Sequence, residues 1–402
     1  MAAVALVTLS ALADVNNVFN DSTLQAAVNL YTDDSTTAIQ RHGAIENWDT
    51  SRVKNMYELF ASKTEFNRNI GNWQTSEVTD MEGMFYLAEK FNQPLDWDTA
   101  KVTTTRDMFR GATAFNSTIN FTNTSAITDM NHMFSSAKNF DQPLDWDTSS
   151  VTDMGEMFEE AENFDKPLDW DTSAVTDMGE MFAYAKNFDK PLDWETSSVT
   201  DMGDMFEKAT RFNSQLTFSD TSQVREFRSM FAHAENFDKP INFDTSRCHT
   251  MQAMFGGAFL FNQPLHFNTS MVNDMRYMFR GAGAFDQKLD FVTSAVADPF
   301  YMAEMFTDSG MQNCGKRHIA TGGTNNAFWT EKPPEATEEN WAGLECATPT
   351  PTPTSTSTGL SGGAIAAIAA ASVVTAGGVA AYTTGTLPWA TATHYSAVLR
   401  YE

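Results

Sequence analysis

One pattern of 24 or 25 residues recurs about ten times in this chain, and such a repeat decides the kind of fold before any single residue is weighed. Aligned on its Met-Phe pairs, the column runs Phe85, Phe109, Phe134, Phe158, Phe182, Phe206, Phe231, Phe255 and Phe279, with Phe60 and Phe306 as outliers at its ends. A second column keeps the same beat: Trp48, Trp73, Trp97, Phe121, Trp146, Trp170, Trp194, Phe218, Phe243, Phe267 and Phe291. Two columns in phase exclude coincidence. A period in this range implies an α/β repeat, a leucine-rich-repeat-like curved solenoid in which each rung adds one short strand and one short helix to a shared core.

The rung around Phe158 illustrates the expectation. In Pro143-Leu144-Asp145-Trp146-Asp147-Thr148, apolar residues alternate with carboxylates, the pattern of a half-buried strand. Met154, Met157, Phe158, Ala161 and Phe164 then follow at helical spacing. Asp153 and Glu156 stand as a capping-box-like pair at the start of that helix, repeated by Asp177 with Glu180 and Asp201 with Asp204. Strands stacked at about 4.8 Å beside helices that need about 10 Å would bend the stack and make its strand face concave. Asn or Asp after a Phe in every rung, from Asn67 to Asp286, reads as a ladder of turns.

Charge narrows the function classes. Asp plus Glu total 52 against 26 Lys plus Arg, a net charge of -26, so a phosphate backbone would be repelled and nucleic acid is excluded as a partner. The excess peaks between Asp141 and Thr210, where 19 acidic residues face four Lys and no Arg. On the expected strands Asp96 and Asp98, Asp145 and Asp147, Asp169 and Asp171, and Asp193 and Glu195 pair on one face, stacking like charges from rung to rung. Calcium, which takes about six to eight oxygen ligands, is the one cofactor these columns suggest; a merely solvated acidic face is the alternative.

Catalytic chemistry finds no foothold. His42, His132, His233, His249, His266, His318 and His394 occupy different columns, so no two of them stack. Gly359-Leu360-Ser361-Gly362-Gly363 matches a nucleophile elbow in letters only, with no strand before it. No enzyme is expected. Cys248 takes a Val position and reads as a small buried residue, whereas Cys314 and Cys346 flank the segment after the last rung and suit a disulfide worth about 3 to 4 kcal/mol in an oxidising compartment.

The ends suggest export and anchoring. Residues 1–13 resemble a signal peptide closed by Ala11-Leu12-Ala13, though no Lys or Arg precedes the apolar run, and a buried helix is the alternative. Residues 14–44 precede the first rung as an N-terminal helical cap, the repeats fill 45–309 and a C-terminal cap takes 310–347. Residues 348–358 form a Thr/Pro-rich stalk, and the uncharged run 359–382 is long enough for a transmembrane helix, with an Ala-rich tail as the other reading. A short tail of 383–402 follows. Sequons at Asn20, Asn116, Asn120, Asn123 and Asn268 are compatible with glycosylation on a secretory route.

The stretch from Trp146 to Leu168, W-D-T-S-x-V-T-D-M-x-x-M-F-x-x-A-x-x-F-x-x-P-L, resembles the BspA-like leucine-rich-repeat surface proteins, including the mycoplasma-type lipoprotein repeat of unknown function. The likeness covers about Ile45 to Ser309. It implies a surface protein, in some members linked to adhesion and host or matrix binding. The expectation is therefore a non-enzymatic cell-surface repeat protein, single-pass or secreted, that mediates recognition or adhesion of protein or glycan ligands through an acidic curved face. A structural spacer of cell wall or matrix, calcium-stabilised in one version, is the alternative.

Overall fold

A computed structural model describes residues 17–289 and 291–310. Contacts divide the chain into two units, Met1–Cys346 and Ala347–Glu402, and the described residues all belong to the first. The signal-like run, the Cys314 and Cys346 pair, the stalk and the apolar run 359–382 lie outside the described residues.

Among the described residues α-helix is confined to the start. Helix α1 (Asp21–Asp33) opens on a capping box between Asn20 and Thr23, and α2 (Ser35–His42) begins where the Asp34 side chain accepts the Thr37 N–H and ends at Gly43, φ 77°. Phe19, Leu24, Val28 and Tyr31 are buried in the same core as Trp48, and Phe19 packs on the Trp48 ring at 4.8 Å. Val18 bridges Asp49 in parallel, so the leader supplies the first pairing partner of the repeats.

Within the repeats the expected helix is absent. The segment Met154–Ala161 is a string of turns, and the cause lies in where its amides go. Met154, Glu156, Phe158 and Glu160 donate to the carbonyls of Asp177, Gly179, Met181 and Ala183 in the next repeat, at 2.8 to 3.1 Å. The residues between them close turns three residues long, as in Glu159 N–H to Glu156 C=O at 3.1 Å. An α-helix would keep all of these bonds inside one segment. Redirecting every second amide along the stack requires a left-handed residue at two places per repeat, here Glu156 (φ 56°) and Glu160 (φ 52°). The same two columns hold Asp204 and Lys208, and Gly83 and Gly111.

The expected capping pair is corrected accordingly. Asp153 caps no helix; its carboxylate accepts the Gly155 N–H two residues on, and its backbone bridges Asp129 and Asp177. That column forms the longest ladder of the structure, parallel bridges running from Asn55 through Asp80, Thr104, Asp129, Asp153, Asp177, Asp201, Glu226 and Thr250 to Asp274. The strand expected in each repeat meets full pairing only as β1 (Leu95–Trp97) with β2 (Ile119–Phe121) and β3 (Leu192–Trp194) with β4 (Leu216–Phe218), both parallel. Elsewhere the alternation persists without the ladder: Leu144 and Trp146 are buried and Asp145 is exposed. Without helices at wider spacing, the reason for expecting a bend is gone.

Aromatic rings follow the same spacing. Phe134, Phe158, Phe182 and Phe206 stack at 5.6 Å, and each has a ring of its own repeat against it, as Phe158 has Phe164 at 4.1 Å. Phe306 joins this column at 5.5 Å from Phe279 despite its longer interval; the 3-10 turn Pro299–Met302 lies within the extra residues. Polar columns close the edges. Thr148 is buried and its hydroxyl donates to the Asp171 carbonyl at 2.8 Å, and Asp165 donates its N–H to the Asp141 carboxylate at 3.0 Å. The Asn/Asp column thus satisfies the backbone of the next repeat rather than of its own turn. Cys248 is buried in the Val column, where burial pushes its thiol up to about 12.

The left-handed columns make a sign test. Ala253 sits at φ 53°, so Ala253→Gly should leave stability unchanged or raise it by up to about 1 kcal/mol, the relief of the left-handed penalty exceeding the flexibility gained by the unfolded chain. Were the segment helical, the same change would cost about 1 kcal/mol. Urea unfolding of the two proteins distinguishes these, and a clear loss would refute the turn geometry.

Candidate functional site

Acidic side chains occupy two surfaces with different surroundings. All eight carboxylates expected on the strands, Asp96, Asp98, Asp145, Asp147, Asp169, Asp171, Asp193 and Glu195, are exposed, and none forms an ion pair among the described residues. One column is held by its own turns: Asp98 accepts the Ala100 N–H, Asp147 the Ser149 N–H and hydroxyl, and Asp171 the Ser173 N–H, while Glu195 accepts from Ser197 N–H and from the Ser219 hydroxyl. Hydrogen bonds from those serines hold the Asp147, Asp171 and Glu195 carboxyls below their usual range. No three of the eight converge within the 4.8 Å that a common ion would require, so the calcium expectation finds no ready-made cluster there.

The ladder side is more enclosed. Asp153, Asp177 and Asp201 each accept an N–H from Gly155, Gly179 and Gly203, and one residue beyond each glycine stands Glu156, Glu180 or Asp204. Other repeats fill the glycine position with Glu82, Arg106, Asn131 or Arg228. Three glycines in succession therefore leave a bare strip between two carboxylate columns. At Gly155 a Cβ would lie 2.9 Å from Asn131 Nδ2 and 3.3 Å from Asp153 Oδ1, so a side chain there would require the Asn131 amide to move aside.

Burial changes the chemistry of this strip. Glu180 is pushed up to about 7, first by loss of water and then by the charges of Glu156, Asp204 and Glu159. Burial and the Asp201 and Asp153 charges raise Asp177, and burial raises Asp204 even though Arg228 donates to it. Glu156 goes the other way: burial alone would raise it, but His132 outweighs that and lowers it.

His132 is the feature the sequence comparison of histidines with one another missed. Its partner is a carboxylate one repeat later: 24 residues on stands Glu156. His132 is 8% exposed, at φ 56°, and its Nδ1 lies 3.1 Å from Glu156 Oε2 without the angle of a hydrogen bond. Glu159 completes the group; the three ligand-capable atoms all lie within 4.8 Å of one another. The Ser135 hydroxyl holds Glu159 at 2.9 Å, and burial raises the Glu159 carboxyl. Among the described residues this is the one place where three such side chains converge.

Other candidate positions stand apart. Asn20, Asn116, Asn120, Asn123 and Asn268 are all exposed; Asn20 caps α1, and Asn116 belongs to the side-chain ladder, accepting the Asp141 N–H at 2.9 Å. An open cleft lined by Tyr31, Asp33, Ser35, Lys63, Glu65 and Arg68 lies beside α1, away from both acidic surfaces.

With the geometry in place, comparison with known proteins yields one family. The family described as "Mycoplasma protein of unknown function, DUF285" matches four times, over residues 32–145, 117–219, 143–242 and 214–316. No curated protein and no solved structure matches.

Glu180 provides a pH test. Its folded value of about 7 exceeds the ordinary 4.5, so the folded state holds the proton more tightly, and the stability this brings is present below about 4.5 and lost as pH rises through about 7. Melting temperature should therefore fall less between about pH 5 and about pH 8 in Glu180→Gln than in the unmodified protein. Equal slopes would show that Glu180 is not buried as described.

Proposed function

The chain belongs to the DUF285 family of mycoplasma proteins of unknown function, and on that premise we propose that it is a non-enzymatic cell-surface repeat protein that recognises or adheres to its ligands through an acidic face. Its repeats stack as a solenoid of the leucine-rich-repeat kind found in BspA-like surface proteins. The strand face is the recognition surface, and its ligands are proteins or glycans bearing positive charge. Residues 359–382 tether it to a membrane, or the chain is secreted.

The observation that carries this is the set of eight exposed carboxylates without cationic partners among the described residues. Elsewhere the protein neutralises comparable groups: Lys166 pairs with Asp141, and Lys90 with Glu65, each across one repeat. Like charges left unpaired at rung spacing repel one another, and a basic ligand removes that repulsion while it binds. Such a face also attracts cationic partners over a distance set by salt. The uninterrupted aromatic columns favour a second reading, a structural spacer, in which the strand face binds nothing.

The two readings separate in one experiment. Full-length protein passed over immobilised poly-lysine should bind, and binding should weaken steeply as salt rises from about 0.05 M to about 0.5 M, with no binding to heparin. Replacing Asp145, Asp169 and Asp193 together by Asn should weaken it by about tenfold or more. A triple variant that binds as well as the unmodified chain would sink the recognition reading for this face.

A further inference from the structure

We propose that His132, Glu156 and Glu159 form a binding site for one zinc-like divalent transition cation, ligated by His132 Nδ1 and one oxygen of each carboxylate. The inference is independent of the strand face and of what that face recognises.

Geometry supports ligation over a simple ion pair. Zinc bonds of about 2.0 to 2.2 Å in a tetrahedron put neighbouring ligand atoms about 3.4 Å apart. His132 Nδ1 and Glu156 Oε2 already stand at 3.1 Å, and the whole set fits within 4.8 Å. The His132 ring nitrogen is sealed from solvent, yet it makes no hydrogen bond; its position suits a third atom between it and the carboxylates rather than a direct bond. The neighbouring guanidinium groups are committed elsewhere, Arg110 to Asp107 and Arg106 to Asp107 and Asp129.

The surroundings fix the ligands. The backbone N–H groups of His132 and Glu156 donate to the Gly155 and Gly179 carbonyls in the following repeats, and the Ser135 hydroxyl donates to Glu159. Imidazole with two carboxylates selects zinc and its transition-metal neighbours; calcium and magnesium prefer oxygen alone and more of it. One repeat later the corresponding positions are Glu156, Glu180 and Ala183, so the arrangement is not a general product of the repeat. Three protein ligands leave a fourth position for water.

Calorimetry of the full chain with zinc chloride tests the proposal, with calcium and magnesium as comparisons. One saturable zinc equivalent is expected, undisturbed by the other two ions. His132→Asn, which keeps a residue tolerant of the left-handed backbone, and Glu159→Gln, which keeps shape, should each weaken zinc by about 100-fold or more. Thermal melts check that both fold; if His132→Asn does not, the isosteric Glu159→Gln decides. Cobalt in place of zinc should give a visible spectrum without thiolate charge transfer, lost in the variants. Absence of saturable zinc binding, zinc affinity unchanged in a folded variant, or a thiolate band would each overturn the site.

Discussion

Everything in the repeats depends on one transfer: every second amide between Met154 and Glu160, and its counterparts elsewhere, is donated to the next repeat instead of to the same turn. The transfer forces two left-handed residues per repeat, at about 1 to 2 kcal/mol each where they are not glycine. Four bonds between neighbouring repeats, at about 0.5 to 1.5 kcal/mol each, offset that strain and hold both long edges of the repeat to one spacing. Flat aromatic rings then stack in register, because nothing on either edge demands a different rise. The leader obeys the same rule: Phe19 donates to Asp49 and Asp49 to Asn17, so the first repeat meets a partner already in pairing geometry.

Periodicity alone made the core legible. Every Phe and Trp of the two columns is in or against the buried core, because a residue that recurs at a fixed interval and avoids water has nowhere else to go. The helix was not legible, since Met154, Met157, Phe158 and Ala161 satisfy helical spacing while lying on turns that bury the same residues. Glycine at Gly83 in one column and at Gly111, Gly257 and Gly281 in the other was the sign that those columns need left-handed backbone; it was hidden because the other repeats fill them with side chains as varied as Glu, Asp, Ser, His, Tyr and Lys. His132 was legible only against the next repeat's column, and comparing histidines among themselves passed it by.

The same carboxylate behaves differently on the two surfaces because of water. Asp147 and Asp171, exposed and bonded to a serine, ionise more readily than usual, while Asp177 and Glu180, sunk beside glycines, resist ionisation. Net charge counted from sequence therefore overstates the charge of the strip along the ladder and is a fair measure of the strand face.

The polar columns have a consequence for heredity. The Thr148 hydroxyl bonds to the repeat after it, and the Asp141 carboxylate likewise receives from the repeat that follows. A copy placed between two existing ones would find the same donors, acceptors and rings on either side. Duplication or loss of a gene segment encoding one whole repeat would thus offer the same bonds at each junction, while extra residues inside a repeat must loop out without disturbing the columns, as those between Phe279 and Phe306 do.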